Sequence, residues 1–358
     1  MVLTLTSRKV FMSKFEGFYK GINLGGWISQ CSEYTKKHYE SFICEDDIKT
    51  IKGWGFDHVR LPLDYEVILD EKCNFIEGGF SYIDRCIEWC KKNSLNMILD
   101  LHKTPGYMFD TNAVPNPDAF FHDAALQDLF VKIWTELASR YASYSSMLAF
   151  ELLNEIVNPK LEREWNAIAS RAIKTIRGIA PDSWIVVGGV DYNSVSAVPG
   201  IDVPYDKKTV FTFHCYEPLV FTHQKAPWVK GMTADFEVSY PGSSIEYIRE
   251  KSALIPQAQH GAVFAKCMDG LKIDEHFFEN LFAPAIETSK KTGVPLYCGE
   301  YGVIDRAPQE DTVRWLRDIH KALEKHQIGR ALWSYKEMDF GLTGSHYDLA
   351  RKEITASS

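Results

Sequence analysis

The sequence contains no apolar run near the ~18 residues that a membrane-spanning helix needs, and no run of Lys or Arg longer than a pair. The first absence argues against a membrane protein, and the second against a polybasic surface for lipid or nucleic acid. Acidic residues outnumber basic ones, 48 to 40, for a formal charge of −8, the opposite of the concentrated basic face that phosphate backbones select. No GxSxG elbow, no HExxH and no HxH occurs, which lowers serine-hydrolase and zinc-hydrolase chemistry. The dinucleotide-type glycine turn is missing after the first strand candidate, which lowers a doubly wound open sheet. Repeats and low-complexity tracts are absent too.

Disulfides are not needed either. Eight cysteines (31, 44, 73, 86, 90, 215, 267, 298) sit in a chain of 358 residues, which is long enough to bury a large core without staples. Cys86 and Cys90, spaced i,i+4, are a weak zinc signal without a second pair. Buried free thiols are expected, and Cys215 and Cys298 are expected to be inert. The N-terminal stretch becomes charged too early for a secretory signal. A cytosolic setting fits best, with a secreted origin open if a leader has been removed.

What is present is an alternation. Short apolar runs predict strands at Gly21–Trp27, His58–Leu63, Met97–His102, Ala149–Glu155, Ile185–Gly189, Val210–Tyr216, Pro295–Gly302 and Ala331–Tyr335. Between most of them run stripes of helical period. Tyr82, Ile83, Cys86, Ile87 and Cys90 form one, and Phe130, Ile133, Trp134, Leu137 and Tyr141 another. Eight strands alternating with helices predict an α/β fold of the (β/α)₈ TIM-barrel type, a single domain over 1–358. The rhythm breaks after the sixth strand, where 217–275 reads as a small inserted subdomain beside the mouth, because a structureless loop of that length is improbable.

The reactive residues fall at the carboxyl ends of these strands, where a barrel gathers its site: Trp27, Arg60, His102, Asn154 with Glu155, His214 with Tyr216, Glu300 and Trp333. Singly, each has a plain structural reading: a solvated Glu, a rim Arg, a hydrogen-bonded core His, a core Trp. Together at one mouth they fit glycosidic bond cleavage, which needs one carboxylic acid and one carboxylate. Glu155 is the candidate acid/base and Glu300 the candidate nucleophile. Arg60 near Glu300 favours its charged form, Asn154 can bond a sugar 2-hydroxyl, and Tyr216 can orient Glu300. His102 and His214 can bind hydroxyls or tune the carboxyls, and Trp333 offers a stacking face. Metal ligation by His102 and His214 has no supporting spacing.

The segments GINLGGW, HVRLPLDY, LDLH, FELLNE, FHCYEP, YCGEYG and ALWSYKEMDF, in this order, resemble glycoside hydrolase family 5. The likeness runs from about Phe15 to about Phe340, and all eight shared active-site positions have counterparts: Arg60, His102, Asn154, Glu155, His214, Tyr216, Glu300 and Trp333. Within the family the chain is most similar to enzymes acting on β-1,4 and mixed-linkage β-glucans. The resemblance implies a retaining mechanism with no cofactor or metal, acting on a β-glucan or oligosaccharide. It leaves exo-acting β-glucosidase, exoglucanase or β-mannanase activity open. Trp27, Phe221, His223, Trp228, Lys336 and Glu337 are candidates for lining the cleft. No nucleic-acid or membrane partner is expected, and a monomer is.

Overall fold

The computed structural model describes residues 13–110, 115–241, 245–256, 258 and 274–356. Eight strands close in chain order into a parallel barrel: β1 Lys20–Asn23, β2 His58–Leu63, β3 Asn96–Leu101, β4 Leu148–Glu151, β5 Trp184–Gly188, β6 Thr209–Cys215, β7 Leu296–Tyr301 and β8 Gly329–Leu332. β8 pairs with β1, so the sheet has no edge. Around it lie α1 Glu45–Gly53, α2 Glu77–Lys92, α3 Ala124–Tyr141, α4 Glu162–Ile179, α5 Ile245–Ala253, α6 Glu275–Thr292, α7 Gln309–Lys325 and α8 Asp348–Ala356.

The helices form where the stripes predict them. On α2, Phe80, Ile83, Cys86, Ile87 and Cys90 are buried, Glu77 lies in the first turn and Lys91 and Lys92 in the last. That charge order complements the helix dipole. Asp123 caps α3 by accepting from the Ala125 N–H at 2.8 Å, and the Trp134 indole of α3 donates to Leu152 O behind β4. Burying one such large side chain is worth about 1.5–3 kcal/mol. The β5–β6 connection departs from the helical rhythm: it carries a short 3₁₀ segment, Val195–Gly200, with Pro199 inside. α6 packs against it.

Inside the barrel, alternate residues of each strand point inward. The lower layer is apolar: Ile98, Ala149, Val186, Val210, Tyr297 and Ala331 pack with Phe15 and Phe18, whose stacked rings, 4.1 Å apart, plug the N-terminal end. One layer further along, β1, β2, β3, β4 and β6 turn polar, with Asn23, Arg60, Asp100, Glu151 and Thr212 all buried. Strand β7 carries an irregularity at this level. Phe213 pairs with Cys298 but His214 pairs with Glu300, so Gly299 is an extra residue. A bulge of this kind re-aims the next side chain, and here it lets Glu300 join the inward face beside His214. A Cβ on Gly299 would lie 2.9 Å from Thr212 Oγ1 and 3.1 Å from His214 Nε2, so the close packing needs glycine.

Several strands end earlier than their apolar runs. β4 stops at Glu151, and Asn154 and Glu155 lie beyond it, tied on by the Asn154 N–H to Leu101 O bond. β1 stops at Asn23, four residues short of Trp27. The expected 217–275 subdomain lies partly outside the described residues. Its described part includes a short helix at Leu219–Thr222 and α5. It is anchored to α7: Tyr240 N–H donates to Asp311 Oδ2, and Arg314 Nε donates to Tyr240 O.

Candidate active site

Arg60, rising from β2, is fully buried and organises the polar layer. Its Nε and Nη2 donate to the two oxygens of Glu151 (2.7 and 3.0 Å), and Nη2 also donates to Asn154 Oδ1 (3.0 Å). Nη1 donates to Asn23 Oδ1 (2.9 Å) and Glu300 Oε1 (2.8 Å). All five guanidinium N–H donors therefore have acceptors. Asp100 Oδ2 adds a 3.0 Å ion pair. Burial alone works against the charge, but Asp100, Glu151 and Glu300 outweigh it and hold Arg60 well above its ordinary range.

The second oxygen of Glu300 accepts from the Tyr216 hydroxyl at 2.9 Å. Burial, with the Glu300 and Glu155 charges, raises that phenol far above its ordinary value, so it stays a donor. His214 Nδ1 sits 2.7 Å from Glu155 Oε1 and 3.7 Å from Glu300 Oε2. One oxygen of each glutamate and a ring nitrogen of His214 all lie within 4.8 Å of one another. Glu155 and Glu300 thus face each other across a gap small enough for one reacting atom.

Their surroundings differ. Burial pushes the Glu155 carboxyl up to about 7, against the partial pull of His102 and Arg60. Burial also takes His214 down to about 4, so at neutral pH the imidazole is uncharged. The proton in the Glu155–His214 contact can come from either partner, following the state of Glu155. His102 behaves oppositely: burial lowers it, but the Asp100 carboxylate 2.6 Å from Nδ1 wins and raises it. The loop bearing Glu155 is fixed by Tyr107, whose hydroxyl donates to Glu155 O and accepts from the Val157 N–H.

His102 and Trp333 lie nearly parallel with ring centroids 5.9 Å apart. Gly25 gives the indole its space, since a Cβ there would fall 2.9 Å from the ring. Of the nine strand-end candidates, eight therefore meet at one mouth (Arg60, His102, Asn154, Glu155, His214, Tyr216, Glu300 and Trp333), and Trp27 does not. The cleft-lining candidates divide. Trp27 is a correction: the turn at Gly26 (φ +82°) sends it into the shell between barrel and helices, fully buried, with its indole donating to Tyr39 O. Lys336 is another, because its ammonium turns away to Asp47 and Phe42 O. Phe221 is buried against Tyr240, and His223 backs the Tyr216 ring. Trp228 stays 51% exposed, with the Arg306 guanidinium 5.9 Å above its ring, and Glu337 is exposed. Sequence reasoning missed Asn23, Asp100, Glu151, Gln30 and Tyr107.

The Glu155, His214 and Glu300 donor set is one a divalent ion can also use, though Arg60, 2.8 Å from Glu300, opposes a second positive charge there. Asp274, Glu275 and His276 form a further trio. Asp274 already caps α6 through the His276 N–H, which is a sufficient role.

Three comparisons bear on this geometry. A family model described as cellulase (glycosyl hydrolase family 5) matches residues 20–339. Endoglucanase C of Acetivibrio thermocellus is 42% identical over 341 residues, spanning 94% of this chain and 96% of the relative. Cellodextrinase A of Ruminococcus flavefaciens is 39% identical, spanning 89% and 86%. Among solved structures, endoglucanase Cel5A from Thermotoga maritima superposes with a TM-score of 0.70 at 24% identity, covering 95% of this chain and 96% of that one. At that identity it speaks to the fold.

Proposed function

Because the chain belongs to glycosyl hydrolase family 5, the cellulase family, we propose that it is a retaining endo-β-1,4-glucanase in which Glu155 is the acid/base and Glu300 the nucleophile. The carrying observation is the trio of Glu155, His214 and Glu300 with ligand atoms within 4.8 Å. Retaining enzymes hold their carboxyls about 5–5.5 Å apart, and inverting ones leave room for a water at about 6.5–9.5 Å.

In the first step Glu300 attacks the anomeric carbon while protonated Glu155 gives its proton to the departing glycosidic oxygen. The carbon–oxygen bond breaks and a glycosyl ester forms on Glu300. In the second step Glu155, now a carboxylate, takes a proton from water as the water oxygen displaces Glu300, which restores both groups and the β configuration. Arg60 and Tyr216 hold one oxygen of Glu300 each, leaving its attack direction little freedom. Asn154, bonded to Arg60 through Oδ1, keeps its amide N–H₂ for the sugar. The described part of 217–275 forms a wall of the cleft in this reading, with the half-exposed Trp228 at its rim. Free thiols at Cys31, Cys86, Cys90, Cys215 and Cys298 suit a reducing cytosol, where a monomer would meet soluble oligosaccharides.

The test is the product profile from cellohexaose, lichenan, laminarin and mannohexaose, with the anomer followed by NMR. Internal cuts in cellohexaose or lichenan with β products are expected, and Glu300→Ala should abolish them. Exclusive release of glucose or cellobiose from one end, or preference for mannohexaose, would replace the substrate assignment. Full activity in Glu300→Ala would remove the mechanism.

A further inference from the structure

Both ring nitrogens of His102 are engaged, by groups that pull in opposite directions. Nδ1 lies 2.6 Å from Asp100 Oδ2, and Nε2 lies 2.6 Å from the amide nitrogen Nε2 of Gln30. A carboxylate accepts from Nδ1–H in either state of the ring and gains when the ring is charged. An amide N–H needs a lone pair to donate to, and Nε2 offers one only in the neutral ring.

Gln30 is fastened in that place. Its φ of +54° is left-handed, a conformation that a non-glycine residue adopts only at a cost. The fully buried Asp64 carboxylate offsets it, accepting from the Gln30 backbone N–H at 3.1 Å and from the Ser29 and Tyr34 hydroxyls at 2.7 Å each. Asp64 N–H donates to Ile28 O, and His102 N–H donates to Leu63 O. The loop bearing Gln30 and the end of β3 are thus both tied to the end of β2. The other neighbours of His102 divide. Glu300 of β7 favours a charge on the ring, and Arg60 of β2 and burial oppose one. Trp333, parallel to the ring at 5.9 Å, presents a face that suits a cation, and Phe109 meets the ring edge-on at 5.4 Å. Glu155 and His214, from the loop after β4 and from β6, both sense the His102 charge.

We propose that Gln30 is a positioning residue that holds His102 in its neutral form, by donating to Nε2 while the ring proton stays on Nδ1 facing Asp100. The consequence reaches Glu155. A charged His102 draws the Glu155 carboxyl towards its ionised form, and an acid without its proton cannot serve the leaving group. Gln30 thereby widens the pH range over which Glu155 acts as an acid. This last step rests on the glucanase reading above, whereas the state of His102 does not.

The test is the titration of His102, followed by NMR of histidine-labelled protein and assigned by the signal lost in His102→Gln. Gln30→Met keeps the length of the side chain and removes the donor. It should raise the protonation constant of His102 by about two- to tenfold, the worth of one neutral hydrogen bond. Gln30→Asn, which suits the left-handed backbone but is too short to reach Nε2, should do the same. Gln30→Glu, which sets a carboxylate against Nε2, should raise the constant further. In kinetics on cellotetraose, the alkaline limb of kcat/KM, at about 7 in the unaltered enzyme, should move to lower pH in Gln30→Met, so that activity falls more at pH 8 than at pH 5. A residue that merely braces its loop would lower kcat/KM equally at both pH values and leave the titration in place. An unchanged or lowered protonation constant in Gln30→Met and Gln30→Asn overturns the proposal, and an unmoved alkaline limb overturns its reach to Glu155. If the unaltered protein cleaves no β-glucan, the glucanase reading fails by itself, and the titration still decides the role of Gln30.

Discussion

Glu155 titrating near 7 instead of the ordinary 4.5 makes a sharp claim about pH. If Glu155 must be protonated to release the leaving group, kcat/KM on cello-oligosaccharides should fall on the alkaline side with an apparent pKa of about 7. At pH 8 roughly one molecule in eleven then carries the proton, against about one in three thousand for a carboxyl at its ordinary value. Burial is thus worth about 300-fold in active enzyme at that pH, or about 3 kcal/mol. The assay compares cellotetraose with dinitrophenyl cellobioside, whose leaving group departs without a proton. In Glu155→Gln, cellotetraose turnover should drop by about 10²–10⁴, while the aryl glycoside keeps its first step and loses the alkaline limb. A small nucleophilic anion such as azide should then accelerate the second step and give a β-glycosyl azide. An alkaline limb near pH 5 in the unaltered enzyme, or an unchanged limb in Glu155→Gln on the aryl substrate, would refute the assignment.

The same shift predicts a stability trade. A carboxyl whose folded pKa is raised keeps its full contribution below the unfolded value of 4.5 and loses it as pH rises through about 7. The ionised group therefore costs up to about 3 kcal/mol at pH 8. Glu155→Gln should raise Tm, and by more at pH 8 than at pH 4; an equal rise at both pH values would contradict this. For the bulge, Gly299→Ala sets a Cβ 3.1 Å from His214 Nε2 and 2.9 Å from Thr212 Oγ1. It should lower kcat by about tenfold or more through displacement of His214 and Glu300, with the fold intact by circular dichroism; an unchanged kcat would mean that the bulge can relax freely.

The barrel was legible because parallel strands buried on both faces read as apolar runs, and the mouth because a barrel gathers its strand ends. The rest was less so, for local reasons. Asp100 and Glu151 carried a visible signal, a charge inside an apolar run, with Asp100 two residues before His102 on the same face of β3. Their weight comes from meeting Arg60, and pairing between strands 40 to 91 residues apart is a tertiary fact. Trp27 misled because an indole after a strand end suits a sugar and a core equally. The left-handed turn at Gly26 decides, and glycine spacing alone does not fix its sense. Lys336 misled similarly: its proximity to Trp333 in sequence said nothing of Asp47, the partner that holds it. The bulge at Gly299 was invisible, since strict alternation from Tyr297 would aim Glu300 out of the barrel.

That bulge and Arg60 together explain why the middle of this barrel is charged at all. A buried ion cluster is a poor source of stability, because desolvation costs about as much as the attraction returns, and apolar residues of similar volume would often serve as well. Arg60 also spreads one positive charge over Asp100, Glu151 and Glu300, and burial raises Glu151 to about 7 despite it. What the cluster gives is geometry. One rigid planar group with every donor occupied fixes Glu300 and Asn154 relative to each other and to the strands below. Glu155 is left out of that grip, held instead by a neutral His214. In the proposed assignment the nucleophile, Glu300, is anchored to a permanent cation and the acid, Glu155, to a group that can exchange its proton. This division would let two glutamates a few ångströms apart do opposite work at the same pH.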